Sequence, residues 1–284
     1  MPLVNTVDLL KDARDKGYCV GAFNIVDYLS IEAVAKAAEA RKSPAIIQTS
    51  SGTLKRFGVQ AIVTMVRTAS AKTKAPLALH LDHGTDLKII SEAIACGFNS
   101  VMIDASAHPF DENVAITAGV VKEAHAKGVS VEGDIGVVAG VEDDIVAKHD
   151  ASLYTTPEQA IEFKERTGVD FLAAAIGTAH GFYKEEPKLN IDTLRQIRKR
   201  TDYLLVVHGG TGLSDEVVRE LVKAGASKFN VSTMVKQVYI DSLFSYIEAH
   251  RSEYNILKTL DNSLNEISAM LGKYMALLGS EGKA

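Results

Sequence analysis

Three histidines stand beside residues that could share chemistry with them. His83 closes His80-Leu81-Asp82-His83, His180 lies in Gly177-Thr178-Ala179-His180-Gly181, and His208 opens His208-Gly209-Gly210-Thr211-Gly212. Neutral imidazoles bind zinc, and three protein ligands leave one coordination position open for a substrate. The competing reading is three unrelated polar residues, each hydrogen-bonded locally. For a lone histidine that reading wins; three of them beside glycine-rich turns and an aspartate favour a metal. Asp82 could exchange a proton with a substrate oxygen, or it could only orient a metal-bound imidazole. His80, two residues before Asp82, shares its strand face and takes a supporting or packing role. The remaining histidines fall in loops or on helices and are read as ordinary polar residues.

These residues lie far apart in the chain, so a scaffold must gather them. Short β-branched runs predict strands at residues 19–24, 45–50, 77–82, 100–104, 129–134, 171–176, 204–208 and 228–231. Apolar residues at helical spacing predict helices between them, for example over 31–40, 59–73, 87–95 and 114–126. Ser214-Asp215-Glu216 reads as a helix start and Gly225 as a stop. Alternating strands and helices imply parallel pairing with right-handed crossovers, and eight such units are the count of a closed (β/α)8 barrel. Asn24, Ser50, Asp82, Asp104, Asp134, His208 and Asn230 all sit at strand carboxyl ends, the face where this fold places its chemistry.

The barrel count gives the glycine turns a meaning. Gly209, Gly210 and Thr211 follow the seventh strand, and Asn230-Val231-Ser232-Thr233 follows the eighth and opens a helix. Backbone N–H groups at such turns and at a helix N-terminus suit a phosphate, and these two loops are the usual phosphate site of the fold. Gly181 and Lys184 could add a donor and a charge; the bland alternative is tight turn geometry alone. Residues 136–154 show no clear period and read as a long loop suited to a lid. One α/β domain spanning 1–284 is expected, with residues from about 252 to 284 a helical extension packing on the barrel or on another subunit.

Composition narrows the setting. Of 284 residues, 46% are hydrophobic and 24% charged, with a net charge of −5, so no basic field invites nucleic acid. The apolar runs are too short for a membrane span, the first residues lack the order of a signal peptide, and Cys19 and Cys96 lack a CxxC partner. A cytoplasmic protein without nucleic-acid or membrane partners is expected.

Taken in order, His80-Leu81-Asp82-His83, Val101-Met102-Ile103-Asp104-Ala105-Ser106, Ala175-Ile176-Gly177-Thr178-Ala179-His180-Gly181 and the two phosphate loops resemble the class II, metal-dependent ketose-bisphosphate aldolases. The similarity is to their short form, which includes tagatose- and fructose-bisphosphate aldolases, and it covers essentially the whole chain. The resemblance implies a TIM barrel with Zn2+ on His83, His180 and His208, and a monovalent cation as a second cofactor candidate. It implies reversible cleavage of a ketose (bis)phosphate to dihydroxyacetone phosphate and a short aldehyde through a zinc-stabilised enediolate. Asp82 would handle the proton on the aldehyde oxygen, and Glu142 the carbon-bound proton. The phosphate would lie along Gly181, Gly209 to Thr211 and Asn230 to Thr233, including Ser232. Asn24 keeps its place in the family pattern at the substrate, and Gln48, Ser50 and Ser51 could give neutral hydrogen bonds to the aldehyde half. A homodimer or homotetramer is the implied assembly.

The departures from the family pattern cluster. Glu132-Gly133-Asp134 stands where the family usually has Glu-x-Glu, and the shortened carboxylate weakens a second metal site at Asp104 and Asp134. Asp27 and Leu29 replace an expected Asn and Glu. Where relatives carry Asp-Pro-Arg and a further basic residue, this chain has Asn255-Ile256-Leu257 and Ser263-Leu264-Asn265. A dianionic phosphate is hard to hold without arginine, so a sulfonated, carboxylated or neutral aldehyde partner is the alternative. A zinc hydrolase on the same barrel is a second alternative, though it leaves the phosphate loops without a purpose. A non-catalytic barrel should have lost the histidines and Asp82.

Overall fold

The computed structural model describes residues 3–136, 139–142, 145–147, 154–183 and 187–284, with the backbone alone at 139–142 and 145–147. The strands are β1 (Val20–Asn24), β2 (Ala45–Ser50), β3 (Leu77–Gly84), β4 (Ser100–Ile103), β5 (Ser130–Ile135), β6 (Ala139–Glu142), β7 (Ile145–Ala147), β8 (Phe171–Ala174), β9 (Ala179–His180), β10 (Leu204–Val207) and β11 (Ala226–Val231). Helices α1 (Thr6–Lys16), α2 (Tyr28–Arg41), α3 (Ser51–Phe57), α4 (Val59–Ser70), α5 (Leu87–Cys96) and α6 (Phe110–His125) fall in the first half. Helices α7 (Pro157–Thr167), α8 (Ile191–Arg200), α9 (Asp215–Lys223), α10 (Thr233–Ala249) and α11 (Ile256–Leu277) follow. Eight strands close a parallel barrel in the order β1-β11-β10-β8-β5-β4-β3-β2, each covering one of the expected strands to within two residues.

Strand alternation sorts the side chains into two cores. Val20, Ala22, Ile46, Ala78, Phe171, Ala173, Leu204 and Val206 pack inside the barrel. The opposite phase, including Phe23, Ile47, Leu79, Leu81, Val101, Leu172, Val207 and Phe229, packs against the helices. In-register neighbours share a phase, as Ala22 beside Ile46 and Leu204 beside Phe171 do. Higher up the same inward phase the residues turn polar: Asn24 is level with Gln48, Gln48 with His80, and Ser50 with Asp82. The barrel is thus apolar at its floor and polar at its carboxyl end.

Helix α1 seals the floor. Asn5 caps it by accepting from the Val7 and Asp8 N–H groups, and Gly17 ends it in the left-handed region. Its Leu10 and Ala13 join the interior cluster; burying Leu10 alone contributes about 2 kcal/mol. Thr6 Oγ1 lies 2.9 Å from Ser100 Oγ inside the barrel.

The C-terminal extension packs on its own chain. Along α11, Ile267, Leu271 and Met275 are buried one helical turn apart, and the helix lies against α2 and α10. Lys36 Nζ donates to Asn265 Oδ1 at 2.6 Å, and Arg41 pairs with Glu281 at 2.9 Å. The expectation of one uninterrupted loop over 136–154 needs correction. β6 and β7 form an antiparallel hairpin there, and β6 pairs in parallel with β9, Gly140 level with His180. Short strands with two alanines and a glycine carry too little period to be read from sequence. Among the described residues no helix is long and apolar enough to cross a membrane.

Candidate active site

The site begins with an irregularity in β3. Leu77, Leu79 and Leu81 face the helices, so strict alternation would send His83 outward with them. Instead His83 adopts a left-handed backbone (φ 47), and the pairing with β4 slips between Leu81 and Gly84. For a residue with a Cβ this conformation costs about 1–2 kcal/mol, and strain of this kind gathers at functional sites. Its effect is that Asp82 and His83, consecutive in sequence, both face the barrel mouth.

His83 Nε2 lies 2.9 Å from His208 Nδ1. One nitrogen from each of His83, His180 and His208 falls within 4.8 Å of the others. A carboxylate backs two of the rings: Asp104 Oδ2 is 2.8 Å from His83 Nδ1, and Glu132 Oε1 is 2.7 Å from His208 Nε2. A carboxylate on the far nitrogen fixes the tautomer and aims the near nitrogen's lone pair, the usual arrangement behind a metal-bound imidazole. Burial pushes the His208 pKa down, and the opposing pull of Glu132 does not reverse it, so the ring stays neutral. This donor set fits a divalent metal.

A second group, His83, Asp104 and Asp134, also brings its donor atoms within 4.8 Å. Burial raises the Asp104 carboxyl, but the His83 hydrogen bond and the Ser106 donors outweigh it and hold the group below the usual carboxylate range. Burial, then the neighbouring Asp104 charge, pushes Asp134 well above that range. Despite its shorter side chain, Asp134 keeps a carboxylate oxygen within reach of His83 and Asp104.

Asp82 is 1% exposed and held by three amides. Asn24 Nδ2 donates to Oδ2 at 2.8 Å, Gln48 Nε2 to the same oxygen at 3.3 Å, and Asn230 Nδ2 to Oδ1 at 3.2 Å. Gln48 also donates to Asn24 Oδ1 at 2.6 Å. Asn24 and Gln48, expected at the substrate, thus orient Asp82 as their first task. Ser50 caps α3 by accepting from the Thr53 N–H, and Ser51 is buried beside it.

A small cleft is lined by Gly181, Gly209, Gly210, Thr211, Asn230, Ser232 and Thr233, the residues expected to take a phosphate, with His180 at its edge. Gly209 has φ 67, and a Cβ there would meet the Ala179 carbonyl oxygen at 2.5 Å, so the two loops approach as only glycine allows. Thr211 Oγ1 accepts from the Met234 N–H at 3.3 Å, fixing the start of α10. Ser232 Oγ is buried with no hydrogen-bond partner among the described residues, as a hydroxyl waiting for a ligand oxygen would be. Glu142 ends β6, but its side chain lies outside what the structure describes, as does Lys184 entirely.

Three contributors were not assigned from sequence. Tyr183 Oη accepts from the Ala179 N–H at 2.9 Å and donates to the Gly209 carbonyl at 2.7 Å, stapling the two loops. Glu132 and Lys228 form a wholly buried ion pair, 2.9 Å apart, beneath His208. Their phase could have revealed them, since Glu132 and Lys228 each lie two residues before an assigned inward residue, Asp134 and Asn230.

The class-II fructose-bisphosphate aldolase family model matches residues 4–283. The chain belongs to that family. It is therefore an aldolase, a lyase of carbohydrate metabolism, in a metal-dependent class. The probable fructose-bisphosphate aldolase of Bacillus subtilis (strain 168) is 40% identical over 287 positions, covering 100% of both chains. The fructose-bisphosphate aldolase of Geobacillus stearothermophilus is also 40% identical, over 100% of this chain and 99% of its own. The crystal structure of the YdjI aldolase from Escherichia coli K12 superposes with a TM-score of 0.87 at 32% identity, over 99% of each chain.

Proposed function

We propose that this aldolase is a zinc enzyme that reversibly cleaves a ketose phosphate into dihydroxyacetone phosphate and a short aldehyde. The observation that carries this reading is the convergence of His83, His180 and His208 beside Asp82 and the glycine-lined cleft. Zinc held by the three imidazoles supplies Lewis acidity to the ketose oxygens. The phosphate sits in the cleft against the close-approaching Gly209–Gly210 turn, taking donors from the first residues of α10 and the Ser232 hydroxyl. Asp82, fixed by its three amides, accepts the proton of the C4 hydroxyl as the C3–C4 bond breaks, and returns it in condensation. The electron pair of that bond stays on C3, next to the carbonyl. Glu142, carried on the hairpin that pairs with the His180 strand, exchanges the carbon-bound proton.

A second reading concerns the aldehyde half. The residues around Asp82 on the β1–β2 side, Asn24, Gln48, Ser50 and Ser51, are neutral, as are 255–257 and 263–265 around the start of α11. An aldehyde carrying sulfonate, carboxylate or no charge suits them better than a second phosphate. A screen of aldehyde acceptors with dihydroxyacetone phosphate, run with and without chelator, tests both readings. Chelator-insensitive turnover removes the zinc enzyme; efficient cleavage of fructose or tagatose bisphosphate removes the second reading alone.

The whole chain works as one unit, the barrel with its helical extension, in the cytoplasm. It assembles as a homodimer or homotetramer, for which the exposed Ile240, Phe244 and Ile247 along α10 provide an apolar face.

A further inference from the structure

Lys228 is fully buried in the barrel interior. Its Nζ donates to Asn230 Oδ1 at 2.7 Å and lies 2.9 Å from Glu132 Oε2. Taking an ammonium and a carboxylate out of water is costly, and an apolar pair of similar volume often serves stability as well or better. The positions of their partners show what the pair does. Glu132 turns its other oxygen to His208 Nε2 at 2.7 Å. Asn230, its carbonyl oxygen claimed by the ammonium, turns its NH2 toward Asp82 Oδ1 at 3.2 Å and toward His208 Nδ1 at 3.3 Å. Were the amide reversed, its oxygen would face the Asp82 carboxylate. The far side of Glu132 is bounded by His80, whose Nε2 is 3.3 Å from Oε2 and whose Nδ1 is 2.8 Å from Ser100 Oγ.

We propose that Lys228 is a positioning residue for the aldol reaction, setting two groups from one buried ammonium. It holds the Glu132 carboxylate against His208, and it holds the Asn230 amide against Asp82. Both arms act through another side chain, so Lys228 itself touches no substrate. The inference rests on the three-histidine metal site proposed above.

The test compares the wild type with Lys228→Met, the double variant Lys228→Met/Glu132→Gln and His208→Ala. Zinc affinity is read by competition with a chromophoric chelator, the ligand geometry by the visible spectrum of the cobalt(II)-substituted protein, and catalysis by steady-state kinetics. Loss of support behind a metal ligand weakens binding about 10–100-fold. Lys228→Met is therefore expected to bind zinc at least about tenfold more weakly, to shift the cobalt spectrum, and to lower kcat more than it raises KM. A folded Lys228→Met with wild-type zinc affinity and an unchanged cobalt spectrum overturns the assignment, even if its Tm drops. If the single variant does not fold, the double variant removes both charges together and carries the same measurements. There too, weakened zinc binding supports the proposal and wild-type binding overturns it. His208→Ala separates the two levels: zinc bound as tightly as in the wild type removes the three-histidine site itself, whereas unchanged Lys228 variants remove only the positioning role.

Discussion

Asp82 and His83 are sequence neighbours that face the same side of β3, because His83 takes a left-handed backbone where the strand slips against β4. The proposed proton-transfer group and the proposed metal ligand are thereby set side by side on one face, which regular alternation forbids. Replacing His83 with alanine removes the ligand that both candidate cation groups share. His83→Ala is expected to retain its circular dichroism, to fall to a small fraction of wild-type metal content by elemental analysis, and to lose at least about a hundredfold in cleavage rate.

Asp82→Asn separates the two functions that the pair combines. The amide keeps the shape of the side chain and its distance from the metal ligands, but it cannot accept a proton. Metal content should remain at the wild-type level while kcat falls by about 10²–10⁴. Parallel loss of metal would instead assign Asp82 to ligand support.

Tyr183 offers a prediction with a defined pH behaviour. Burial pushes its phenol pKa up to about 12, so the neutral form that donates to Gly209 is favoured in the folded protein. The staple's contribution is complete below about 10, the unfolded value, and is lost only as pH rises through about 12. It therefore adds nothing to the pH–rate profile in the neutral range. Tyr183→Phe strips the partner from the Ala179 N–H and the Gly209 carbonyl, costing about 1–2 kcal/mol. KM for the ketose phosphate should rise several-fold and kcat change less; an unchanged KM would show that the staple does not shape the cleft.

Phe244 is 64% exposed between Ile240 and Ile247 on one face of α10. Phe244→Glu should leave the barrel's melting temperature within a few degrees when the protein is dilute. Light scattering coupled to size exclusion should show a smaller assembly than the wild type. An unchanged mass would move the subunit contact elsewhere.

The sequence was most legible where period and chemistry agree. Residues 45–50 stand out because a β-branched run ends in a polar residue just before a helix, and β2 has those bounds. Asp82, His208 and Asn230 announce themselves as polar residues at strand ends. His83 was legible as a ligand but not as an exception to alternation, since nothing in His80-Leu81-Asp82-His83 marks a positive φ. Lys228 and Glu132 are hidden for a different reason: a charged residue in a short run ordinarily reads as solvated, and only the two-residue phase they share with Asn230 and Asp134 marks them as pointing into the barrel. The family resemblance supplied a role for Glu142 that residue type alone could not.

The plug formed by α1 has a consequence for traffic through the molecule. With Leu10 and Ala13 stoppering one end, the cleft opens among the described residues at the other, the carboxyl rim. The sugar that enters and both fragments that depart must share that opening, so the rim loops govern exit as well as entry. A change at the rim can therefore throttle turnover without disturbing a single bond-making group.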